Sequence, residues 1–358
     1  MGGKGKDQSL NLTYFCAPYM QPISQLFQLL QEPRKVIITT HQKPDPDAMG
    51  SSLGLYHFLQ SFGHEVQVIS PTNWAAFLDW MPGCDKVLDF ETQQQAAVTS
   101  IQQADWIFCL DFNVLSRTKR LTPILEQATA KKILIDHHRE PQTEAFEWGI
   151  SDIEKSSTSE MIYDFICASG YADRINDPVM KCLYAGVMGD TGSFRFSSAT
   201  AGVHEMVASF KRNGLQHTEI HELIYDNYLE NRYRFIGHIL THRLEVDYEM
   251  NTALMWVTKQ DLLKYHIKTG DTEGLVNYPL SIEGIKMAAI IIDRGEERKW
   301  SFRSKGNFDV NTFARMHFNG GGHFNAAGGF SKDSFAQTVD EFKKVLPLYR
   351  DQLNSYTF

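Results

Sequence analysis

The chain has 358 residues, 42% of them hydrophobic, and a formal charge of -8. That length exceeds one ordinary core and predicts two domains. The acidic balance argues against gripping long nucleic acid by its backbone, but it leaves room for a short nucleotide held by a basic pocket or by metal ions.

No run of about 18 or more apolar residues occurs, so no membrane span is expected. The start MGGKGKDQ carries two lysines with no apolar segment behind them and is not read as a signal peptide. Cys16, Cys84, Cys109, Cys167 and Cys182 are widely spaced, odd in number and form no CxxC. They read as free thiols of a reducing compartment, which predicts a cytoplasmic protein.

In chain order, KVIITT (35–40) is a short β-rich run that stops at the proline-broken acidic stretch HQKPDPDA. Residues 50–62 predict a helix, with Leu53, Tyr56 and Leu59 on one face and Gly63 behind it. EVQVIS, DWIFCLDF (105–112) and KKILIDHH (131–138) read as further strands. Helices are expected over 159–169, opened by the capping residues of SSTS, over 179–187, and over 200–213 before Gly214. RLEVDYEMNTALMWVTK (243–259) reads as two strands joined by a turn, and 285–294 and 298–305 as two more. A helix begins at Asp309, GGGHFNAAGG is expected as a glycine-dense loop, and a last amphipathic helix lies near 338–348.

The fold class is therefore α/β. It comprises an N-terminal, mostly parallel sheet with helices on both faces (20–212), a helical connector (213–241), and a smaller C-terminal α/β domain with a mixed sheet (242–358).

Four stretches of the first domain carry metal-ligand chemistry: His41, Asp45 and Asp47 in HQKPDPDA; Asp111 after WIFCL; Asp136, His137 and His138 in IDHHR; and Asp190 in GDTGSF. Three of them end an apolar run, where an α/β sheet delivers groups to one edge. Converging carboxylates repel one another, and a pair of divalent cations is the simplest counter-charge. Taken singly, each has a plainer reading. Asp47 can cap the following helix, Asp111 and Asp190 can form turns, and a lone histidine is more often a satisfied structural residue. Carboxylates suit Mg²⁺ or Mn²⁺, and the imidazoles shift the balance towards Mn²⁺ or a later metal. Ser193 in GDTGSF has no histidine–acid pair tied to it and is discounted as a nucleophile.

In order and separation these stretches resemble the motifs of the DHH phosphoesterase superfamily, with Asp136-His137-His138 as the name-giving motif. GGGHFNAAGG resembles the glycine-rich signature of the DHH-associated substrate domain. The branch it looks most like is the two-domain oligoribonuclease and 3'-phosphoadenosine-5'-phosphate phosphatase group. The resemblance implies one metal held by His41, Asp45 and Asp111, and a second by Asp47, Asp111, His137 and Asp190, with Asp111 bridging. It implies that Asp136 supports the site from behind and that His138 faces the substrate phosphate. Mn²⁺ is the implied ion, with Mg²⁺ or Co²⁺ as alternatives, and a hydroxide bridging the metals is the implied nucleophile.

For the second domain, the resemblance implies that His323 contacts a phosphate and that Arg303 holds one. The backbone of Gly320, Gly321 and Gly322 can cradle an anion, and Asn325, Arg294 and Arg315 lie nearby in sequence. Solvated surface is the plainer reading of Arg294 and Arg315. Phe308, Phe313, Phe318 and Phe324 are candidates to stack on a base, most of them being core. The expected partners are short RNA, a dinucleotide or a nucleotide bisphosphate, with neither long duplex nor membrane; a homodimer is compatible with this reading. The competing readings are a cyclic or linear dinucleotide phosphodiesterase, a pyrophosphatase or exopolyphosphatase, a 5'-exonuclease of the RecJ type, and a non-catalytic nucleotide sensor.

Overall fold

The structure is a computed structural model that describes residues 20–268 and 270–355. Cys16 and the lysine-bearing start lie outside the described residues. Contacts divide the chain into one unit running to Ile224 and another from Tyr225 onward.

In the first unit, β1 (Gln21–Pro22), β2 (Lys35–Thr39), β3 (Glu65–Ser70), β4 (Leu88–Asp89), β5 (Trp106–Leu110), β6 (Lys131–Asp136) and β7 (Trp148–Ser151) form one sheet. Their spatial order is β1-β7-β6-β5-β2-β3-β4, and the paired strands run parallel. The helices are α1 (Pro46–Gln60), α2 (Gln94–Gln102), α3 (Thr122–Gln127), α4 (Thr158–Ala168), α5 (Asp177–Asp190), α6 (Ala201–Arg212) and α7 (His217–Tyr225).

Side chains alternate across a strand, so continuous apolar strands feed two cores. Val36, Ile38, Phe108, Leu110, Ile133 and Ile135 join the core that holds α1, α4 and α5. Ile37, Ile107, Cys109 and Leu134 point the other way, into the core of α2 and α3. This is the sheet with helices on both faces that the sequence predicts. The strand order reverses between β2 and β5, and a crevice opens beyond their carboxyl ends at such a switch point.

Helix α1 is buried on nearly all sides because α5 crosses it closely. A Cβ on Gly50 would stand 2.5 Å from the Cys182 carbonyl oxygen, so only glycine allows the crossing.

The second unit opens with α8 (Glu230–His242). Then follow β8 (Leu244–Asp247), β9 (Thr252–Val257), α9 (Lys259–Lys264), α10 (Asn277–Leu280), β10 (Met287–Asp293), β11 (Arg298–Ser304), α11 (Val310–His317), β12 (Gly321–His323), β13 (Ala326–Ser331) and α12 (Phe335–Val345). The strand order is β12-β13-β11-β10-β9-β8, with β9 and β10 parallel and the other pairs antiparallel. It is the mixed sheet expected. Met287, Ala289 and Ile291 face Phe313 and Phe342, while Ala288, Ile290 and Ile292 face Phe235 and Ile239 of α8. Within the stretch read as a connector, Ile220 and Ile224 of α7 belong to the first core and Phe235, Ile236 and Ile239 of α8 to the second.

GGGHFNAAGG is not a free loop. It forms the β12–β13 hairpin, in which Gly321 opposes Gly328 and His323 opposes Ala326. No helix among the described residues is long and apolar enough to cross a membrane.

Candidate functional site

The four predicted stretches meet at the carboxyl edge of the first sheet. Asp111 and His137 follow β5 and β6 directly, His41 follows β2 after one intervening residue, Thr40, and Asp136 is the last residue of β6. HQKPDPDA is shorter as a loop than the sequence suggests, because α1 begins at Pro46, with proline in the first turn where its missing N–H costs nothing. Asp45, not Asp47, is the N-cap. Its Oδ1 accepts from the Asp47 and Ala48 amides at 3.0 Å each, and its Oδ2 lies 3.8 Å from His41 Nε2. Asp190 is the last residue of α5 rather than part of a turn.

Asp111 occupies the centre. Its φ of 64° is left-handed, a conformation that aspartate tolerates better than most residues. Its Oδ2 lies 3.3 Å from His41 Nε2, and its Oδ1 lies 3.4 Å from His137 Nε2. The two oxygens of one carboxylate thus face two different imidazoles. His137 Nε2 is also 3.3 Å from Asp190 Oδ2 and 3.9 Å from Asp47 Oδ2. The donor atoms of His41, Asp45 and Asp111 lie within 4.8 Å of one another, and so do those of Asp47, His137 and Asp190.

The histidine tautomers are set from behind. His41 Nδ1–H donates to the Gln42 carbonyl at 2.8 Å, and His137 Nδ1–H to the Lys155 carbonyl at 3.3 Å. Both therefore present Nε2 to the carboxylates, the arrangement that metal-ligating imidazoles use. His138 Nδ1–H donates to Asp136 Oδ1 at 2.7 Å, and Asp136 is fully buried.

Burial and mutual repulsion shape the charge states. Burial, with Asp111 and Asp190 beside it, pushes the Asp47 carboxyl well above its usual range. Burial works against charge on Asp111 as well, but hydrogen bonds from His137 and His41 outweigh it and hold that carboxyl well below its usual range. Burial also opposes charge on both imidazoles, yet the Asp111 hydrogen bond and the surrounding carboxylates raise His41, and raise His137 strongly. Protons here do part of what cations would do. The mixed N/O donor set, with each imidazole's Nε2 aimed at carboxylates, fits a pair of divalent ions.

The sequence reading missed three contributors. Thr158 and Ser159 at the start of α4, read only as capping residues, donate hydrogen bonds to Asp47, and Thr158 also to Asp111. Gly186 lies against the same place: a Cβ there would be 2.0 Å from Ser159 Oγ and 2.9 Å from Asp47 Oδ1.

In the second unit, register sets Arg303, Ala326 and His323 directly opposite one another across β11, β13 and β12. Residues opposed in this way share a sheet face, so Arg303 and His323 stand on one face with a small alanine between them. Arg315 is adjacent, since a Cβ on Gly321 would lie 3.6 Å from its Nε. Arg294 is at the other end of the sheet, beyond the Asp293–Arg298 pair, with its Nη2 3.4 Å from Thr272 Oγ1.

The glycines answer to backbone approach. A Cβ at Gly320 would sit 1.9 Å from the Gly328 carbonyl oxygen, and Gly322 has a φ of 149°. The Gly320 amide donates to the Ala314 carbonyl and the Gly322 amide to Asn311 Oδ1, so both are engaged within the unit. Asn325 Nδ2 donates to Ser304 Oγ and to the Gly306 carbonyl, tying the strand ends together. Of the four phenylalanines near the hairpin, Phe308, Phe313 and Phe318 are core and Phe324 is 36% exposed.

Comparison with known proteins matches residues 35–187 to the DHH family N-terminal domain and residues 254–349 to the DHHA1 domain. The bifunctional oligoribonuclease and PAP phosphatase NrnA of Bacillus subtilis is 28% identical over 82% of this chain and 88% of its own length. The protein of the same description from Thermus thermophilus is 26% identical over 93% of this chain and 94% of its own. A crystal structure from Bacteroides fragilis, described as an exopolyphosphatase-related protein, is 37% identical with a TM-score of 0.87, covering 92% of this chain and 97% of that one. RecJ of Thermus thermophilus, crystallised with Mn²⁺, shares the fold at 14% identity and a TM-score of 0.53.

Proposed function

The chain belongs to the DHH family, and we propose that it is a two-cation phosphoesterase that hydrolyses short oligoribonucleotides and 3'-phosphoadenosine 5'-phosphate, with Mn²⁺ as its preferred ion. One observation carries this reading most directly: the two oxygens of Asp111 face His41 on one side and His137 on the other. A carboxylate so placed would be shared by two ions, one held with His41 and Asp45, the other with Asp47, His137 and Asp190. When bound, such ions supply an acidified water as nucleophile and positive charge for the phosphate oxygens.

The chain's own residues do the rest. Asp45 and Asp47 are oriented by the amides of the first turn of α1 and of the start of α4. Asp136 orients His138 through Nδ1, and in its protonated form the ring would donate from Nε2 to a phosphate oxygen or to the departing alkoxide. In the second unit, Arg303 offers a fork suited to a terminal phosphate, His323 a second donor on the same sheet face, and Phe324 an exposed ring for a base. In this reading residues 20–212 are the catalytic domain, 213–241 the connector and 242–358 the substrate domain. Cys84, Cys109, Cys167 and Cys182 are free, which supports a cytoplasmic setting.

The relatives described as oligoribonuclease and PAP phosphatase support the substrate class, since this chain covers most of their length. A second reading, hydrolysis of inorganic polyphosphate or pyrophosphate, is favoured by the description of the Bacteroides fragilis relative. A hydrolysis panel with Mn²⁺ separates them: adenosine 3',5'-bisphosphate, a ribodinucleotide, a pentamer, cyclic di-AMP and pyrophosphate. Turnover of the bisphosphate and the short RNAs is expected. Turnover of pyrophosphate alone, or of cyclic di-AMP alone, contradicts the proposal.

A further inference from the structure

We propose that Thr158, at the first turn of α4, is a positioning residue of the metal centre, fixing two of its carboxylates at once; the inference rests on the two-cation reading. The stretch Lys155–Glu160 touches three candidate ligands. The Lys155 carbonyl accepts from His137 Nδ1, the Thr158 and Ser159 amides donate to Asp47 Oδ2 and Oδ1 at 2.7 and 2.9 Å, and the Thr158 hydroxyl donates to Asp111 Oδ1 at 3.2 Å.

The first N–H groups of a helix have no partner inside it. Here each is accounted for. The Glu160 amide goes to the N-cap hydroxyl of Ser157 at 3.0 Å, and the two before it go to Asp47. Asp47 is fully buried and lies 111 residues away in sequence, so the contact docks the start of α4 onto the ligand-bearing first turn of α1. The turn itself is braced: Glu160 Oε2 accepts from the Ser156 amide at 2.8 Å, and Lys155 Nζ bridges Glu160 and Asp164.

The donors are all neutral, and this has a chemical consequence. A lysine or arginine in their place would orient the carboxylates equally well but would cancel the charge that must attract cations. An amide or a hydroxyl takes one lone pair on each oxygen and leaves the net charge in place. On Asp111 the hydroxyl engages Oδ1, the oxygen that faces His137, so it fixes the carboxylate's rotation about the bond that decides which oxygen serves which ion. Thr158 is fully buried, as is Ser159.

The test is titration of metal-free protein with Mn²⁺ by calorimetry, for wild type, Thr158→Val and Thr158→Ser. Valine keeps the shape and the backbone amide and removes only the hydroxyl. Thr158→Val should bind Mn²⁺ roughly 10–100-fold more weakly, the usual cost of losing a group that orients a ligand, while Thr158→Ser stays close to wild type. Thr158→Ala serves in place of valine if that variant does not fold. Unchanged affinity in the hydroxyl-free variant overturns the proposal, and so does an equal loss in Thr158→Ser, which would assign the effect to packing. If wild type takes up no Mn²⁺, the metal reading itself has failed.

Discussion

Replacing Gly186 with alanine adds one methyl group at the point where α5, α4 and the candidate ligand Asp47 meet. That methyl would start 2.0 Å from Ser159 Oγ, 2.8 Å from Ser159 Cβ and 2.9 Å from Asp47 Oδ1, where ordinary contact begins near 3.4 Å. Turning the serine side chain relieves only the first clash, because its Cβ remains too close. The helices must part or Asp47 must move. Overpacking of this kind costs about 1–3 kcal/mol, which for a unit of this size lowers the melting midpoint by roughly 2–12 °C. The same displacement loosens the Asp47 carboxylate from the Thr158 and Ser159 amides. A misplacement near 1 Å costs on the order of 100-fold in a positioned site. Calorimetric melting of the metal-free protein reads the first effect, and Mn²⁺ titration with turnover of adenosine 3',5'-bisphosphate reads the second. A Gly186→Ala protein that melts and binds Mn²⁺ like wild type would refute the close-crossing argument.

Other consequences are as direct. Asp261 completes the capping box of α9 behind the N-cap Thr258 and accepts from Thr258, His238 and Arg243; although burial opposes its charge, these bonds hold its carboxyl down at about 2. A depressed folded pKa stabilises above the unfolded value near 3.8, and the benefit is lost as pH falls towards 2. Asp261→Asn should therefore destabilise the second unit at neutral pH by about 1 kcal/mol, the full shift being reduced by solvent screening, a deficit that shrinks in acid; a pH-independent difference would contradict this. Phe324→Ala should raise KM for adenosine 3',5'-bisphosphate several-fold and leave any pyrophosphate turnover unaltered, whereas equal effects on both would remove the base-stacking role. Arg303→Ala should lose most on substrates that carry a terminal phosphate, and equal losses on those lacking it would count against a phosphate clamp.

The strands that deliver the ligands were legible because fully buried parallel strands such as WIFCL and KILI read as continuous apolar runs ending in polar residues. Helix starts were less so. HQKPDPDA looks like a loop by composition, yet Asp45 as cap and Pro46 as first residue draw Pro46, Asp47 and Ala48 into α1. The GGGH stretch reads as a glycine-dense loop whose backbone can cradle an anion. Gly320 and Gly322 are instead demanded by carbonyl oxygens of the facing strand, a long-range cause that composition does not show. Backbone donors were the least legible part. The amides of Thr158 and Ser159 hold Asp47 with groups that every residue but proline carries, and only the fold decides where they point. Arg294 and Arg303 are equally basic in sequence, but the register of β10 with β11 sends them to opposite ends of the sheet.

The proposed chemistry needs one cluster that would hold two ions through the shared Asp111 carboxylate. Mn²⁺ titration of the metal-free protein, wild type against Asp111→Asn, tests this most directly, and asparagine tolerates the left-handed backbone at that position. Wild type should take up two ions per chain and Asp111→Asn should lose affinity at both, because both lean on the same side chain. Two undiminished ions in Asp111→Asn, or none in wild type, would contradict the account.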